Sequence, residues 1–343
     1  MRTRIGIDLG DAGIVVSKVG DACIHKESAV VALHREDGSF LGIGGDTDRY
    51  EAAGGGEVVL RRIFKDGAVI PEYTRAAMAH LISRYRTSDG GCRVLLSVPC
   101  SIGDVEEGAL AEMAIDAGAD EVYLVYSPLA ALIGNGIDLG GGAVIVDIGA
   151  TRTDILTVCH GRIFYKKTVE AAGKSFDLAV SQYLYDKHKV RISAETAEQV
   201  KVKVGTVWVG NEKKYIDVRG RDMTNGDYCT VRISSEEMFA ALEEPMAALI
   251  EGVCDAITKI PPDCVNDVFD TGILLSGGGC QLDGIDKMIG GVTGVAVTRL
   301  SDPANTVARG LATLLETVTE PRSAGTLNIS RYIMKAAAEP QRG

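Results

Sequence analysis

The sequence predicts an α/β fold that contains two similar α/β domains. Three observations support this prediction: a hairpin signature occurs twice, strands and helices alternate between the copies, and a further strand ends in three glycines. The chain of 343 residues is long enough for two domains with full cores. Its 41 glycines exceed the roughly 24 that ordinary usage would give, so we expect them to mark special turns.

The repeated signature is a short apolar strand that ends in Asp-x-Gly and is followed by a second strand. It occurs at residues 5–10 and again at residues 143–149. Each copy predicts a β-hairpin with glycine in the turn. Asp8 and Asp147 occupy equivalent places, and their separation is that of domains rather than of a solenoid repeat.

Helices and strands are predicted to alternate around these hairpins. A capping box of Asp104 with Glu107 predicts a helix that ends at Gly118, and Ser127 is expected to cap the next helix. Apolar spacing predicts the remaining elements: helices at 74–85, 176–187, 194–204 and 235–258, and strands at 93–99, 122–125 and near 273.

The strand near 273 is followed directly by Gly277, Gly278 and Gly279. A glycine turn at a strand end leaves backbone N–H groups free to point at an anion, although any one such site is more simply a plain turn. Three sites in one chain favour a shared ligand. We therefore expect a nucleotide in a cleft between two domains, with its phosphates between the Asp-x-Gly hairpins.

The composition argues against several functional classes. A net charge of −11 disfavours nucleic acid and anionic lipid as partners. The N-terminal residues lead straight into a strand, and no run approaches the roughly 18 apolar residues of a spanning helix, so we expect a cytoplasmic protein without a secretory signal. Gly173-Lys174-Ser175 resembles part of a P-loop, but Thr168 stands where a Walker motif needs glycine.

The order of the motifs resembles the bacterial actin homologues of the MreB type, within the wider actin, hexokinase and DnaK-chaperone ATPase superfamily. The resemblance runs from about residue 5 to about residue 315. The segments that carry it are Asp8-Leu9-Gly10, Ser97-Val98-Pro99, Tyr123-Leu124 to Pro128, Asp147-Ile148-Gly149, Thr196-Ala197-Glu198, Arg219-Gly220-Arg221-Asp222, Glu243-Glu244-Pro245 and Ser276-Gly277-Gly278-Gly279.

The resemblance implies an actin-like ATPase fold with four subdomains and a tail. The expected boundaries are 1–32, 66–138 and 308–320 for IA, 33–65 for IB, 139–180 and 240–307 for IIA, 181–239 for IIB, and 321–343 for a tail that is flexible or a short helix. The implied role is a nucleotide-dependent protofilament under the membrane that guides wall synthesis and sets bacterial cell shape.

The resemblance also implies the residues of an ATP site. Asp8 and Asp147 are expected to hold Mg²⁺, mostly through water, as a hard cation prefers. The residues expected around the nucleotide are Gly10, Asp11, Ala12 and Gly13 at the β and γ phosphates, Gly149, Ala150 and Thr151 on their other side, Gly173 in the segment that is usually Gly-Gly-Asp, and Glu198, Lys201, Gly277, Gly278 and Gly279 at the adenosine.

Both phosphate turns depart from the family pattern. Asp11 puts a carboxylate where phosphate oxygens would repel it. The repulsion is on the order of 4 kcal/mol per charge pair at about 4 Å and an effective dielectric near 20, unless Mg²⁺ or solvent screens the charges. Alternatively, Asp11 turns outward and stabilises the hairpin. In the second turn Ala150 replaces a glycine, and Arg152 either offsets Asp11, binds phosphate or is an exposed turn residue.

Ser127 stands where the family has the glutamate that orients the hydrolytic water. Serine cannot act as that base, and loss of one positioned base typically costs about 10²–10⁴ in rate. We therefore predict a slow or inactive ATPase that still binds nucleotide. Thr153 is the remaining candidate for holding the water.

The implied partners are further copies of the chain, in a protofilament, and membrane-bound wall-elongation proteins. Association with the membrane stays open: the expected insertion loop, 86–92, lacks large apolar residues, and residues 327–335 are the remaining candidate for an amphipathic helix.

One alternative is a non-polymerising nucleotide-binding adaptor or chaperone-like protein on the same fold. A sugar or acetate kinase would need an acidic base, for which the sequence offers no candidate.

Overall fold

The computed structural model describes residues 2–20, 24–47, 50, 56–65, 67–87, 90–208, 210, 213–317, 328–330 and 333. The chain divides into two compact units. The first comprises residues 1–141, 158–163 and 304–343, and the second comprises residues 142–157 and 164–303. Among the described residues, no helix is long and apolar enough to cross a membrane.

The described residues form ten α-helices and eighteen strands. The helices are α1 (Pro71–Tyr85), α2 (Asp104–Asp116), α3 (Ser127–Gly134), α4 (Gly173–His188), α5 (Ala194–Val204), α6 (Ser235–Ala241), α7 (Glu243–Thr258), α8 (Val265–Thr271), α9 (Ile285–Thr293) and α10 (Thr306–Thr317). The strands are β1 (Thr3–Leu9), β2 (Ile14–Lys18), β3 (His25–Glu27), β4 (Val30–His34), β5 (Phe40–Ile43), β6 (Val58–Arg62), β7 (Phe64–Lys65), β8 (Ala68–Val69), β9 (Cys92–Val98), β10 (Glu121–Tyr126), β11 (Gly142–Ile148), β12 (Thr153–Cys159), β13 (Arg162–Val169), β14 (Val190–Arg191), β15 (Tyr215–Asp222), β16 (Tyr228–Ser234), β17 (Ile273–Ser276) and β18 (Val297–Arg299).

The first unit contains a five-stranded sheet in the order β10-β9-β1-β2-β3. β1 pairs antiparallel with β2 in a hairpin and parallel with β9 on its other side. Every residue of β9 is buried, Arg93 and Ser97 included, as expected of a parallel strand inside a sheet that is covered on both faces. A small sheet in the order β5-β4-β6 belongs to the same unit.

The second five-stranded sheet repeats this plan, with the order β13-β12-β11-β17-β18. The hairpin of β11 and β12 corresponds to that of β1 and β2, and β11 pairs parallel with β17. A small antiparallel sheet in the order β14-β15-β16 lies in the same unit. The duplication predicted from the Asp-x-Gly signature is thus confirmed at the level of sheet topology.

The predicted cap of α2 and the predicted helix over 235–258 were wrong. Helix α2 is capped one residue earlier than expected, because Glu106 Oε2 accepts the N–H of Gly103 at 3.0 Å, while Asp104 is already helical. The helix predicted over 235–258 is interrupted at Leu242. Pro245 explains the interruption, since it has no N–H to donate within a continuous helix but is tolerated in the first turn of a new one.

Candidate functional site

In the first unit, the turn that follows Asp8 is closed by its own backbone. Gly10 and Gly13 exchange hydrogen bonds, from Gly10 N to Gly13 O at 3.1 Å and from Gly13 N to Gly10 O at 3.2 Å. Ala12 is exposed at the tip. The structure therefore brings the predicted residues of this turn together directly after β1.

Asp8 lies near the end of β1, beside the neighbouring strand β9. The hydroxyl of Ser97 on β9 donates to Asp8 Oδ1. Burial raises the pKa of Asp8 above its ordinary value, and the hydrogen bond from Ser97 acts in the opposite direction. Carboxylate oxygens are the ligands that Mg²⁺ prefers, and a cation would offset the cost of this buried charge, so Asp8 fits the predicted role.

Asp11 does not turn outward. Its residue is only 7% exposed, and Oδ1 lies 3.5 Å from Nη2 of Arg62 on β6. The same Arg62 nitrogen donates to the backbone carbonyl of Asp11 at 3.0 Å. The expectation of a solvent-facing Asp11 was wrong, because a cation on another strand of the same unit offsets the carboxylate inside the turn.

The second phosphate turn connects β11 to β12 and has the same length as the first. Gly149 N donates to Arg152 O at 3.0 Å, while the carbonyls of Gly149 and Ala150 accept the N–H groups of Gly173 at 3.1 Å and Lys174 at 2.6 Å. The turn is therefore fixed to the start of α4. Ala150 is not among the described residues with positive φ, so its methyl group needs no special backbone conformation.

The three glycines after β17 lie directly beside this hairpin. Ser276 pairs with Asp147 in the parallel register of β17 with β11. Gly277 has φ +80°, and a Cβ at this position would lie 2.3 Å from the carbonyl oxygen of Ile148. Only glycine fits such an approach. The structure thus brings Asp147 and the Gly277 turn together.

Helix α5 brings Lys201 to the start of α4. Lys201 Nζ donates to the carbonyl of Gly173 at 3.1 Å and pairs with Asp177 Oδ1 at 2.8 Å. Burial raises the pKa of Asp177, and Lys201 opposes that shift. Glu198 lies on the same helix and is exposed. Lys201 therefore organises the beginning of α4, next to the second turn.

Sequence reasoning missed Arg62 and Asp177, the partners of Asp11 and Lys201. Asp177 lies one turn after Gly173 on α4, so the helical spacing was a usable signal. No local signal pointed to Arg62, since its contact with the first turn depends on the placement of β6.

Neither hydroxyl discussed for hydrolysis is positioned as a base. Thr153 is fully buried, and its Oγ1 donates to the carbonyl of Ala171 at 2.6 Å. Ser127 Oγ donates to the carbonyl of Val98 at 3.2 Å. Ser127 is also the first residue of α3 and not its N-cap, which is Tyr126; the predicted capping role was therefore wrong. Thr153 as the water-holding residue stays a prediction.

Two solved structures match almost the whole chain. The crystal structure of MreB5 of Spiroplasma citri bound to ADP matches with a TM-score of 0.84 and 26% identity, over 93% of this chain and 97% of MreB5. The MamK double helical filament matches with a TM-score of 0.78 over 92% of this chain and 99% of MamK. Its identity is 20%, so this match supports the fold alone.

The chain also matches named sequence relatives over nearly its whole length. The cell shape-determining protein Mbl of Bacillus subtilis is 32% identical over 317 residues, which are 91% of this chain and 95% of Mbl. The cell shape-determining protein MreB of Escherichia coli K12 is 31% identical over 324 residues, 92% of this chain and 93% of that protein. The family model of the MreB/Mbl protein matches residues 2–323. This chain therefore belongs to the MreB/Mbl family and has its actin-like fold.

Proposed function

We propose that this chain is an actin-like cytoskeletal protein that binds ATP with Mg²⁺, assembles into filaments and acts in bacterial cell shape by guiding wall synthesis. Relatives that match almost the whole chain are named cell shape-determining proteins. MreB5 was solved bound to ADP and to AMPPNP. Further copies of this chain are the primary proposed partner, and membrane-bound wall-elongation proteins are the second.

One observation carries the nucleotide proposal: each unit has an aspartate near the end of a strand, directly before a closed glycine turn. In the first unit, Asp8 is proposed to hold Mg²⁺ and the turn 10–13 to contact phosphate. In the second unit, Asp147 and the turn 149–151 have the corresponding roles. Glu198, Lys201 and the glycines 277–279 are proposed to lie at the adenosine.

The small sheets of the two units support the proposed subdomains IB and IIB.

Slow hydrolysis is the second part of the proposal. The hydroxyl of Ser127 donates to the carbonyl of Val98 on β9. A serine hydroxyl cannot serve as the general base near neutral pH. A missing base typically lowers the rate by about 10²–10⁴. We therefore propose that the protein holds ATP for long periods, so that binding and assembly are separated from turnover.

The proposal is tested on the purified full chain with three measurements: equilibrium titration with ATP and Mg²⁺, negative-stain electron microscopy and phosphate release. We expect saturable binding, filaments that depend on nucleotide, and phosphate release far slower than polymerisation. Binding without filaments would favour the non-polymerising adaptor. Phosphate release as rapid as filament assembly would contradict the proposal of slow hydrolysis. Asp8→Asn is the control for ATP binding that depends on Mg²⁺.

A further inference from the structure

The family match ends at residue 323, yet described residues beyond it contact the first sheet. Residues 328–330 lie at the outer edge of β10, the terminal strand in the order β10-β9-β1-β2-β3. Asn328 forms a parallel bridge with Leu124, and Ile329 N donates to Leu124 O at 2.9 Å. A sheet edge presents unpaired backbone groups, which this segment covers.

Among its described residues, the segment adds one rung of sheet at Asn328, and Ser330 and Ile333 after it are helical. In a regular parallel ladder, the N–H of Tyr126 would donate to the next backbone carbonyl of the added strand. Instead, Ser330 Oγ accepts the N–H of Tyr126 at 2.9 Å. The carbonyl of Ile329 is used by Ile333 N, at 2.9 Å. The hydroxyl of Ser330 thus replaces a backbone acceptor where the strand geometry ends.

The other described side chains of the segment are buried or hydrogen-bonded. Ile329 is 2% exposed, Ser330 0% and Ile333 9%. The two isoleucines are four residues apart, which is the spacing of neighbours on one face of a helix. Asn328 Oδ1 accepts from Ser330 N at 3.1 Å, as a helix cap does. Its amide nitrogen donates to Glu107 Oε1 on α2 at 2.6 Å.

The contacts end at the junction between β10 and α3. Tyr126 is the last residue of β10 and the N-cap of α3. Ser127 follows it. The backbone of this junction is therefore bound to Ser330 on its outer side, while Ser127 Oγ is bound to Val98 of β9.

We propose that the outer edge of β10 is a peptide-docking site, that the described tail residues Asn328, Ile329, Ser330 and Ile333 of this chain are its ligand, and that Ser330 is a positioning residue for the β10–α3 junction. The recognition is strand addition at a sheet edge, in which main-chain bonds give affinity and side-chain contacts give specificity. The specific features are the two isoleucines, the Asn328 cap and the Ser330 acceptor. The proposal does not depend on nucleotide binding.

The first test measures amide hydrogen exchange in the full chain without nucleotide. Ser330→Ala removes only the acceptor, so exchange at Tyr126 is expected to accelerate at least about tenfold, while the amides of Ile7 and Leu96 in the central strands stay within about twofold. Ser330→Thr retains the hydroxyl and is expected to restore slow exchange. Ile115→Ala, at a half-exposed isoleucine of α2, serves as the control. Unchanged exchange at Tyr126, or equal acceleration at all three amides, would overturn the proposal.

The second test asks whether the segment binds as a separate ligand. In the full chain carrying Ile329→Ala and Ile333→Ala, exchange at Tyr126 is expected to be fast. A synthetic peptide of residues 324–343 is expected to slow it again in a saturable manner, whereas the same peptide with Ser330→Ala is not. Failure of the unaltered peptide to restore protection at millimolar concentration would show that the edge of β10 is not a docking site.

Discussion

We expect the carboxylate of Asp8 to lower the stability of the nucleotide-free protein, because it is partly buried beside a neutral hydroxyl. Burial raises its pKa above the ordinary value of 3.8. The charged form is therefore less favourable in the folded than in the unfolded chain. This cost is fully present at pH values above the raised pKa, and it disappears as pH falls through that pKa towards 3.8, where both states bind the proton.

We predict that Asp8→Asn raises the melting temperature of the nucleotide-free protein near neutral pH. The amide still accepts from Ser97, and the buried charge is gone. A gain of about 1 kcal/mol would correspond to about 2–4 °C, and it should shrink as pH is lowered. The same variant should bind Mg²⁺-ATP more weakly. Scanning calorimetry at several pH values checks the first expectation; an unchanged or lower melting temperature at pH 7.5 would contradict it.

The pair of Asp11 and Arg62 gives a second residue-scale prediction. If Arg62 offsets the carboxylate in the first phosphate turn, Arg62→Gln should weaken ATP binding more in the natural chain than in Asp11→Asn. Because Arg62 is half exposed, we expect a coupling of up to about 1 kcal/mol, or about fivefold in Kd. Titrations of the two single variants and the double variant measure this coupling. If the effects of the two substitutions on the free energy of ATP binding simply add, the pair of Asp11 and Arg62 does not influence ATP binding.

At the scale of elements, the end of β17 tests how the glycine turn supports the site. Gly277→Ala places a methyl group 2.3 Å from the carbonyl of Ile148 at a φ of +80°, so we expect a loss of about 2–4 kcal/mol in the free energy of unfolding. Gly278→Ala is the matched control, since a Cβ there meets nothing within 4 Å, and its effect should stay within about 0.5 kcal/mol. Urea unfolding separates the two. Similar values for both variants would count against this packing.

Elements with local signals were predictable from the sequence. Both hairpins form as their Asp-x-Gly turns indicate, and the bounds of α5 agree with the predicted 194–204 because Ser193 caps it by accepting from Thr196 N at 3.1 Å. The break at Leu242 was missed although Pro245 signalled it. A run of apolar residues at helical spacing hid the break, since periodicity continues across two consecutive helices.

The residues of each turn were also predictable, but their partners were not. Glycine and aspartate at strand ends have strong local preferences, whereas the contact of Arg62 with Asp11 joins the first turn to a strand that is distant in the sequence. The same holds for residues 328–333. Most of the predicted tail, 321–343, lies outside the described residues, as do Ser88 and Asp89 of the predicted insertion loop. The described tail residues dock through contacts with Leu124, Tyr126 and Glu107 that no tail pattern encodes.

At the scale of the whole molecule, we expect Ser127 to affect how long a filament persists rather than whether it forms. In a nucleotide-dependent polymer, hydrolysis changes the bound ligand and thereby the affinity between subunits. If the chain hydrolyses ATP slowly, its filaments in ATP should persist about as long as filaments in AMPPNP. Ser127→Glu restores a carboxylate at the start of α3, so hydrolysis should increase at least about tenfold, and filaments in ATP should then shorten sooner than those in AMPPNP. Light scattering after dilution, combined with phosphate release, measures both quantities.

Ser127→Gln has a similar size without the basic oxygen and should behave like the natural chain. Equal filament lifetimes for Ser127→Glu in ATP and AMPPNP, despite faster phosphate release, would refute the link between this position and disassembly.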